Sequence, residues 1–280
     1  MKLDYFFDAY TATYSYIVYD EVSREAAIID PVLNYDPFSG TVTTKSADVI
    51  ETVIKDKQLK LVWLLETHAH ADHLTAAQYL KTRLGGVVAI GALISQVCEY
   101  WGPVFNTAFS PRKFDRLLAA GERLALGNTE ITVMTTPGHT PACVSYLIED
   151  AIFVGDALFQ PYVGTARADF PGGSAQAIYE SVQKILALPD ATRIFVGHDY
   201  PPTGEDACCE TTVGQQHAQN IMINRNTEAA AFVDARTTKD KNKAVPKLLL
   251  PAIQFNLRAG SFGETETNGK QYIKIPITLA

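Results

Sequence analysis

The chain has 280 residues, 47% of them hydrophobic and 20% charged, with a formal net charge of -7 and a pI near 5.4. This is an ordinary composition for a folded chain with a large core, and the acidic balance argues against a nucleic-acid surface or a polybasic membrane contact. No run approaches the ~20 apolar residues a membrane-spanning helix needs. The N-terminus, with Lys2 then Asp4 and Asp8 among aromatics, has neither the pattern of a secretory signal nor that of a transit peptide, so a cytoplasmic protein is expected.

In chain order, residues 14–19 alternate and are rich in β-formers. With 26–29 they predict a hairpin turned at Asp20-Glu21-Val22-Ser23 and stopped by Asp30-Pro31. Residues 34–40 read as a surface loop. Residues 46–57 carry Val49, Ile50, Val53 and Ile54 at helical spacing, with Ser46 as N-cap. The apolar run 61–65 reads as a buried strand. A helix is expected over 74–84, stopped by Gly85-Gly86, then a strand over 87–90, a helix over 92–100 and irregular chain over 101–117. Segments 124–126 and 129–135 predict a hairpin about Gly127-Asn128. Two short strands follow at 144–148 and 152–154, then an amphipathic helix over 174–188 and a strand over 193–196. Beyond Tyr200 the break Pro201-Pro202-Thr203-Gly204 changes the character. Residues 211–222 predict a helix capped by Thr211 or Thr212, 229–233 more helix, and 251–258 and 272–277 extended chain. One domain is expected over 1–280, with a core over about 1–200 and a C-terminal extension over about 201–280.

The chemistry concentrates where the 61–65 strand ends, in Glu66-Thr67-His68-Ala69-His70-Ala71-Asp72-His73. Imidazole and carboxylate are the side chains best suited to a borderline divalent metal. At alternating positions in extended chain His68 and His70 point the same way, while Asp72 and His73 turn toward a second point nearby. Neutral rings packed this densely would leave several ring nitrogens needing partners. Three later strand ends deliver the same residue types: Thr136-Pro137-Gly138-His139, Gly155-Asp156 and Gly197-His198-Asp199-Tyr200. Groups at strand ends along one sheet edge converge into a site. The cysteines Cys98, Cys143, Cys208 and Cys209 make no CxxC pair and read as reduced thiols, Cys143 as a buried, unreactive one. Lys239, Lys241, Lys243 and Lys247 read as a solvated face sooner than an anion site.

In this order, Thr67-His68-Ala69-His70-Ala71-Asp72-His73, Pro137-Gly138-His139-Thr140, Gly155-Asp156-Ala157 and Gly197-His198-Asp199-Tyr200 resemble the metallo-β-lactamase superfamily. The resemblance implies an αββα sandwich of two mixed β-sheets flanked by helices, with a metal site at one edge. Gly155-Asp156-Ala157-Leu158-Phe159, the stretch from Gly164-Thr165-Ala166-Arg167 to Phe170-Pro171-Gly172-Gly173, and the segments 251–260 and 272–276 are similar to the persulfide dioxygenases and their bacterial β-lactamase-hydrolase-like branch. That resemblance implies one Fe(II) per chain on His68, His139 and Asp156, a set that matches the two-histidine, one-carboxylate template with open positions opposite. It implies glutathione persulfide and O2 as substrates, with sulfite and thiol as products, and places Arg167 and Tyr200 where the glutathione moiety is contacted. His70, Asp72, His73 and His198 then stand around the ligands, holding their orientation. Arg167 has a second reading, a salt bridge to Asp169. A homo-oligomer, dimer or tetramer, is implied, and a sulfurtransferase (rhodanese) partner is left open; nucleic acid and membrane are not expected as partners. The competing reading is a thioester hydrolase of glyoxalase II type, with two Zn(II) on the same seven His and Asp positions and Asp156 between them. A third is a metal-binding or sulfur-carrier module in which Cys208-Cys209 receive a sulfane sulfur.

Overall fold

The structure, a computed structural model, describes residues 1–277. Two six-stranded sheets form its centre. In the first, β1 (Lys2–Asp8), β2 (Thr13–Tyr19), β3 (Glu25–Ile29), β6 (Lys60–Leu65), β8 (Val87–Gly91) and β9 (Arg116–Leu118) lie side by side in that order. The β1–β2–β3 meander is antiparallel, and β3, β6, β8 and β9 run parallel. The second sheet runs β10 (Arg123–Leu126), β11 (Thr129–Thr135), β12 (Val144–Ile148), β13 (Ala151–Phe153), β14 (Arg193–Phe195) and β15 (Glu210–Thr212), antiparallel except between β13 and β14. A small sheet joins β4 (Val32–Asp36), β5 (Thr41–Thr43) and β7 (Leu74–Thr75).

Strand alternation divides the apolar residues into three cores. Tyr14, Tyr16 and Val18 of β2 face the other sheet, where they meet Val133, Tyr146, Phe153 and Phe195. Ile17 and Tyr19 face outward onto a layer that includes Ile50 and Ile54 of α1 (Lys45–Asp56), Leu80 of α2 (Ala77–Leu84), Val97 and Trp101 of α3 (Ile94–Phe105), and Ala252 and Phe255 of α7 (Leu249–Asn256). On the far side, Ile152 and Ile194 pack on Ile178, Val182 and Ile185 of α4 (Ala175–Leu186), Val213 of α5 (Val213–Gln219) and Phe232 of α6 (Ala229–Asp240). Strands covered on both faces need no polar side, which is why β2 is buried along its whole length. The layers are therefore helix, sheet, sheet, helix, the metallo-β-lactamase sandwich.

Several expectations are corrected. The expected loop 34–40 contains the end of β4, which pairs with β5. Helix α1 has Thr44 as its N-cap; Ser46 instead hydrogen-bonds Asn34 and Asp8. The helix expected from 92 begins at Ile94 and runs to Phe105, so it includes the first turn of what read as irregular chain. The expected helix 211–222 is β15 followed by α5, with Thr212 and Gln215 forming a capping box. Residues 251–258 are not extended: Pro251 sits in the first turn of α7, where a missing N–H costs nothing. Residues 272–277 pair with no strand among the described residues; the Lys274 backbone is held by the Gln254 side chain instead.

Candidate metal centre

The carboxyl ends of β3, β6, β13 and β14 open on one edge of the sandwich, the place where parallel strands present side chains to a ligand. Asp30 follows β3, residues 66–73 follow β6, Asp156 follows β13 and His198 follows β14, while His139 comes from the turn after β11. The two sheets are stitched together at this edge, where the Tyr14 N–H donates to Gly197 O at 2.8 Å and Thr13 bridges to His198. Two glycines permit close approaches, Gly138 to α4 and Gly155 to the loop after β6. Gly138 has φ 138°, and a Cβ there would lie 2.4 Å from Ile178 N. Gly155 has φ 49°, and its Cβ would lie 2.4 Å from Thr67 Oγ1.

All five site histidines are buried, and hydrogen bonds at Nδ1 orient four of them. A backbone carbonyl can only accept, so His139 Nδ1 donates to Arg167 O at 2.9 Å and His73 Nδ1 to Leu74 O at 3.1 Å. His198 Nδ1 likewise donates to Ala12 O at 3.1 Å. Thr67 Oγ1 gives its proton to Asp30 Oδ2 at 2.7 Å, so it accepts from His68 Nδ1 at 3.0 Å. Four rings thus turn Nε2 inward. His70 is reversed: its Nε2 lies 3.0 Å from Asp30 Oδ1 and 3.4 Å from Glu66 Oε2, which leaves Nδ1 as the inward atom.

The inward atoms form two neighbouring groups, with Asp156 in the first and His198 between Asp156 and the Asp72 of the second. Asp156 Oδ2 is 3.6 Å from His139 Nε2 and 3.9 Å from His68 Nε2. Asp156 Oδ1 is 3.3 Å from His198 Nε2, which is also 3.5 Å from Asp72 Oδ2. The donor atoms of His68, His139 and Asp156 all lie within 4.8 Å of one another, as do those of His70, Asp72 and His73. Asp30, Glu66 and His70 make a third such group, buried behind the second. At the site, His68 Nε2, both ring nitrogens of His70, His73 Nε2, Glu66 Oε2 and Asp156 Oδ1 are buried without a hydrogen-bond partner. Orphaned polar atoms at this density are what a bound divalent ion would satisfy, so the residues fit a metal. Burial, together with neighbouring His70, holds His73 at about 4, in the neutral form a ligand needs. Burial would raise Asp72, but His198, His73 and His70 outweigh it and bring it down to about 2.

A cavity of about 320 Å³ opens above Asp156 and His139. Phe159, Val163 and Phe170 line it with apolar surface, and Arg167, Tyr200, Lys239 and Lys243 line it too. The Arg167 guanidinium is engaged by Asp169, from Nε at 2.6 Å and from an Nη at 2.7 Å, and by Ala244 O at 2.7 Å, so the salt-bridge reading of that residue describes its contacts. Tyr200 stacks near His198, ring centroids 6.0 Å apart at 13°. Lys239 Nζ has the Met222 sulfur at 3.7 Å, and Lys243 Nζ has Asp240 Oδ1 at 4.0 Å. Burial and the nearby Arg236 pull both ammonium groups below their ordinary pKa. All four lysines of the basic stretch are exposed, as a solvated face would be, and two of them, Lys239 and Lys243, also line the pocket.

A family model described as Metallo-beta-lactamase superfamily matches residues 12–198. The chain belongs to the metallo-beta-lactamase superfamily. It is 45% identical to a probable metallo-hydrolase of Burkholderia pseudomallei (strain 1710b), over 99% of each chain. It is 43% identical to Glyoxylase B2 of Dictyostelium discoideum, over 99% of this chain and 97% of that one. It is 32% identical to the mitochondrial persulfide dioxygenase ETHE1 of Homo sapiens, over 91% of this chain and 87% of that one. Against the Beta-lactamase hydrolase-like protein of Xylella fastidiosa (strain 9a5c), at 44% identity, the chain spans 64% of the relative's length. Among solved structures, ETHE1 from Myxococcus xanthus superimposes with a TM-score of 0.74 at 28% identity, over 93% of this chain and 100% of that one. Members of this superfamily hold metal with a His/Asp cluster, and this chain carries one. No helix among the described residues is long and apolar enough to cross a membrane.

Sequence reasoning missed four contributors. Asp30 read only as a strand stop, although a carboxylate at a strand end was the signal used for Asp156. Its φ of 49° is unusual for a residue with a side chain, and it binds both the Thr67 N–H and hydroxyl. Glu66 is buried beside His70 and bonded by the Thr75 hydroxyl. Thr67 links Asp30 to His68. Asn256, at the end of α7, donates to His70 O and His73 O at 2.8 Å each and accepts from Thr75 N at 2.9 Å. Nothing in the local sequence marks it.

Proposed function

We propose that this superfamily member is a persulfide dioxygenase that oxidises a low-molecular-weight persulfide, glutathione persulfide above all, to sulfite and thiol. The observation that carries the reading is the His68–His139–Asp156 triad at a pocket that Arg167, Lys239 and Lys243 also line. Likeness to persulfide dioxygenase ETHE1 over 91% of the chain supports it. His68, His139 and Asp156 would hold one Fe(II), whose chemistry is the activation of O2 beside a persulfide sulfur. The balance closes without flavin or nicotinamide: the outer sulfur loses four electrons on becoming sulfite, one O2 takes up four, and one water completes the oxygen count. Lys239 and Lys243 would receive the carboxylates of the thiol carrier, with Arg167 and Tyr200 lining the same wall. Phe159, Val163 and Phe170 would exclude bulk water from the reacting sulfur. His70, Asp72, His73 and His198 would orient the ligands and carry hydrogen bonds around them.

A second reading, a two-zinc thioester hydrolase, is favoured by the position of Asp72 and His198 about Asp156 Oδ1 and by the likeness to Glyoxylase B2. Anaerobic purification with metal analysis, followed by oxygen uptake on adding glutathione persulfide, separates the two. About one iron per chain, oxygen consumed and sulfite formed, all lost in His68→Ala, His139→Ala and Asp156→Ala, is the outcome for the dioxygenase. Two zinc ions per chain, no oxygen uptake and hydrolysis of S-lactoylglutathione would establish the hydrolase instead.

A further inference from the structure

Helix α6 carries a buried ion pair whose free bonding positions converge on one short loop. Arg236 is fully buried and Asp240 is 4% exposed. Arg236 Nε donates to Asp240 Oδ2 at 2.9 Å, and an Nη makes a second bond to Oδ1. A pair removed from water contributes little net stability, because desolvation offsets its Coulomb energy. Its remaining contacts are directed, however. Arg236 donates to Thr165 O at 3.0 Å, and Asp240 Oδ2 accepts from Ala168 N at 2.8 Å. The Ala168 N–H belongs to the same peptide group as the Arg167 carbonyl, and that carbonyl is the acceptor for His139 Nδ1.

We propose that Asp240 is a positioning residue for the metal centre, acting on His139 through the Arg167–Ala168 peptide. A carboxylate accepting from an amide N–H polarises that amide and makes its carbonyl a stronger acceptor. The stronger acceptor holds the Nδ1 proton of His139 more firmly, so Nε2 becomes a better donor and its ring is fixed in direction. Arg236 holds the carboxylate in place through two bonds and anchors the loop at Thr165. The arrangement is a carboxylate–histidine pair with one peptide group inserted. It rests on His139 being a ligand, which both readings of the site share.

The test uses the full chain with Zn(II) as probe, its affinity measured by chelator competition and its imidazole protons by NMR. The wild-type Zn(II) form should show a downfield, exchange-protected His139 Nδ1–H. Asp240→Asn, and the charge-neutral Arg236→Met/Asp240→Asn pair that leaves no lone buried ion, should weaken Zn(II) binding by about tenfold or more and move that proton upfield. Arg225→Met, which removes an exposed pair with Asp190, should change neither. Folded variants with wild-type affinity and an unmoved His139 proton would overturn the proposal, as would absence of that protected proton in the wild type. His139→Ala separates the two levels: unchanged affinity there sinks the ligand assignment, whereas lost affinity beside a normal Asp240→Asn sinks only the relay.

Discussion

Thr67→Val is the most informative single substitution at the site, because it changes chemistry while keeping shape. Thr67 is 1% exposed, and its hydroxyl donates to Asp30 Oδ2 at 2.7 Å while accepting from His68 Nδ1 at 3.0 Å. Valine retains the backbone N–H bond to Asp30 Oδ1, so the loop keeps one anchor. It strips a partner from two buried polar groups, at roughly 1–3 kcal/mol each, for a total of about 2–6 kcal/mol. With an unfolding entropy of about 2.1 cal/mol/K per residue, a chain of this size should lose roughly 3–10 °C in Tm. His68 also loses the clamp on its ring, which should weaken metal binding by about 10–100-fold. Thermal unfolding of the metal-free protein reads the first effect and Zn(II) chelator competition the second. A melting point within about one degree of wild type, with unchanged affinity, would refute the assignment of the hydroxyl as the link between Asp30 and His68.

Replacing both Lys239 and Lys243 with alanine should raise KM for an anionic persulfide by roughly tenfold, about the loss of one charge-assisted hydrogen bond, and leave kcat nearly unchanged; steady-state oxygen uptake at several salt concentrations checks this, with the difference shrinking as salt rises. Burial pushes the thiols of Cys98 to about 11, and of Cys143 and Cys209 to about 12, so all three stay protonated at pH 8, while Cys208 is exposed. A thiol reagent should therefore label one cysteine quickly in the native chain and all four after denaturation. Asn256→Ala removes two donors and one acceptor from the loop that carries His70 and His73, and should cost about 2–4 kcal/mol in stability; denaturant titration measures this, and metal analysis should show reduced occupancy.

The metal cluster was legible because its residue types are dense and sit at recognisable strand ends. Asp30 was not, since Asp-Pro is equally a turn signal and nothing local distinguishes the two uses. Lys239 and Lys243 could not be placed, because a basic stretch has the same pattern whether it faces water or a pocket. What decides is α6 docking on α4, where Tyr179 meets Phe232 with ring centroids 5.8 Å apart. The alternation of residues 14–19 identified a strand but not that both its faces are covered. Segment 251–258 misled because Pro251 and the apolar run suit extended chain as well as a first helical turn, and only packing against β7 and the outer core selects the helix.

Asn256 also sets an order of events. Its amide ties residues 70, 73 and 75 to a helix more than 180 positions later in the chain. During synthesis the histidine loop emerges long before the side chain that shapes it. The nascent polypeptide therefore passes through an interval in which every metal-binding group has been made and the loop still lacks three of its fastenings. Ion loading should then follow the emergence of α7, and a ribosome-bound intermediate that stops short of α7 should hold metal weakly, however many ligands it displays.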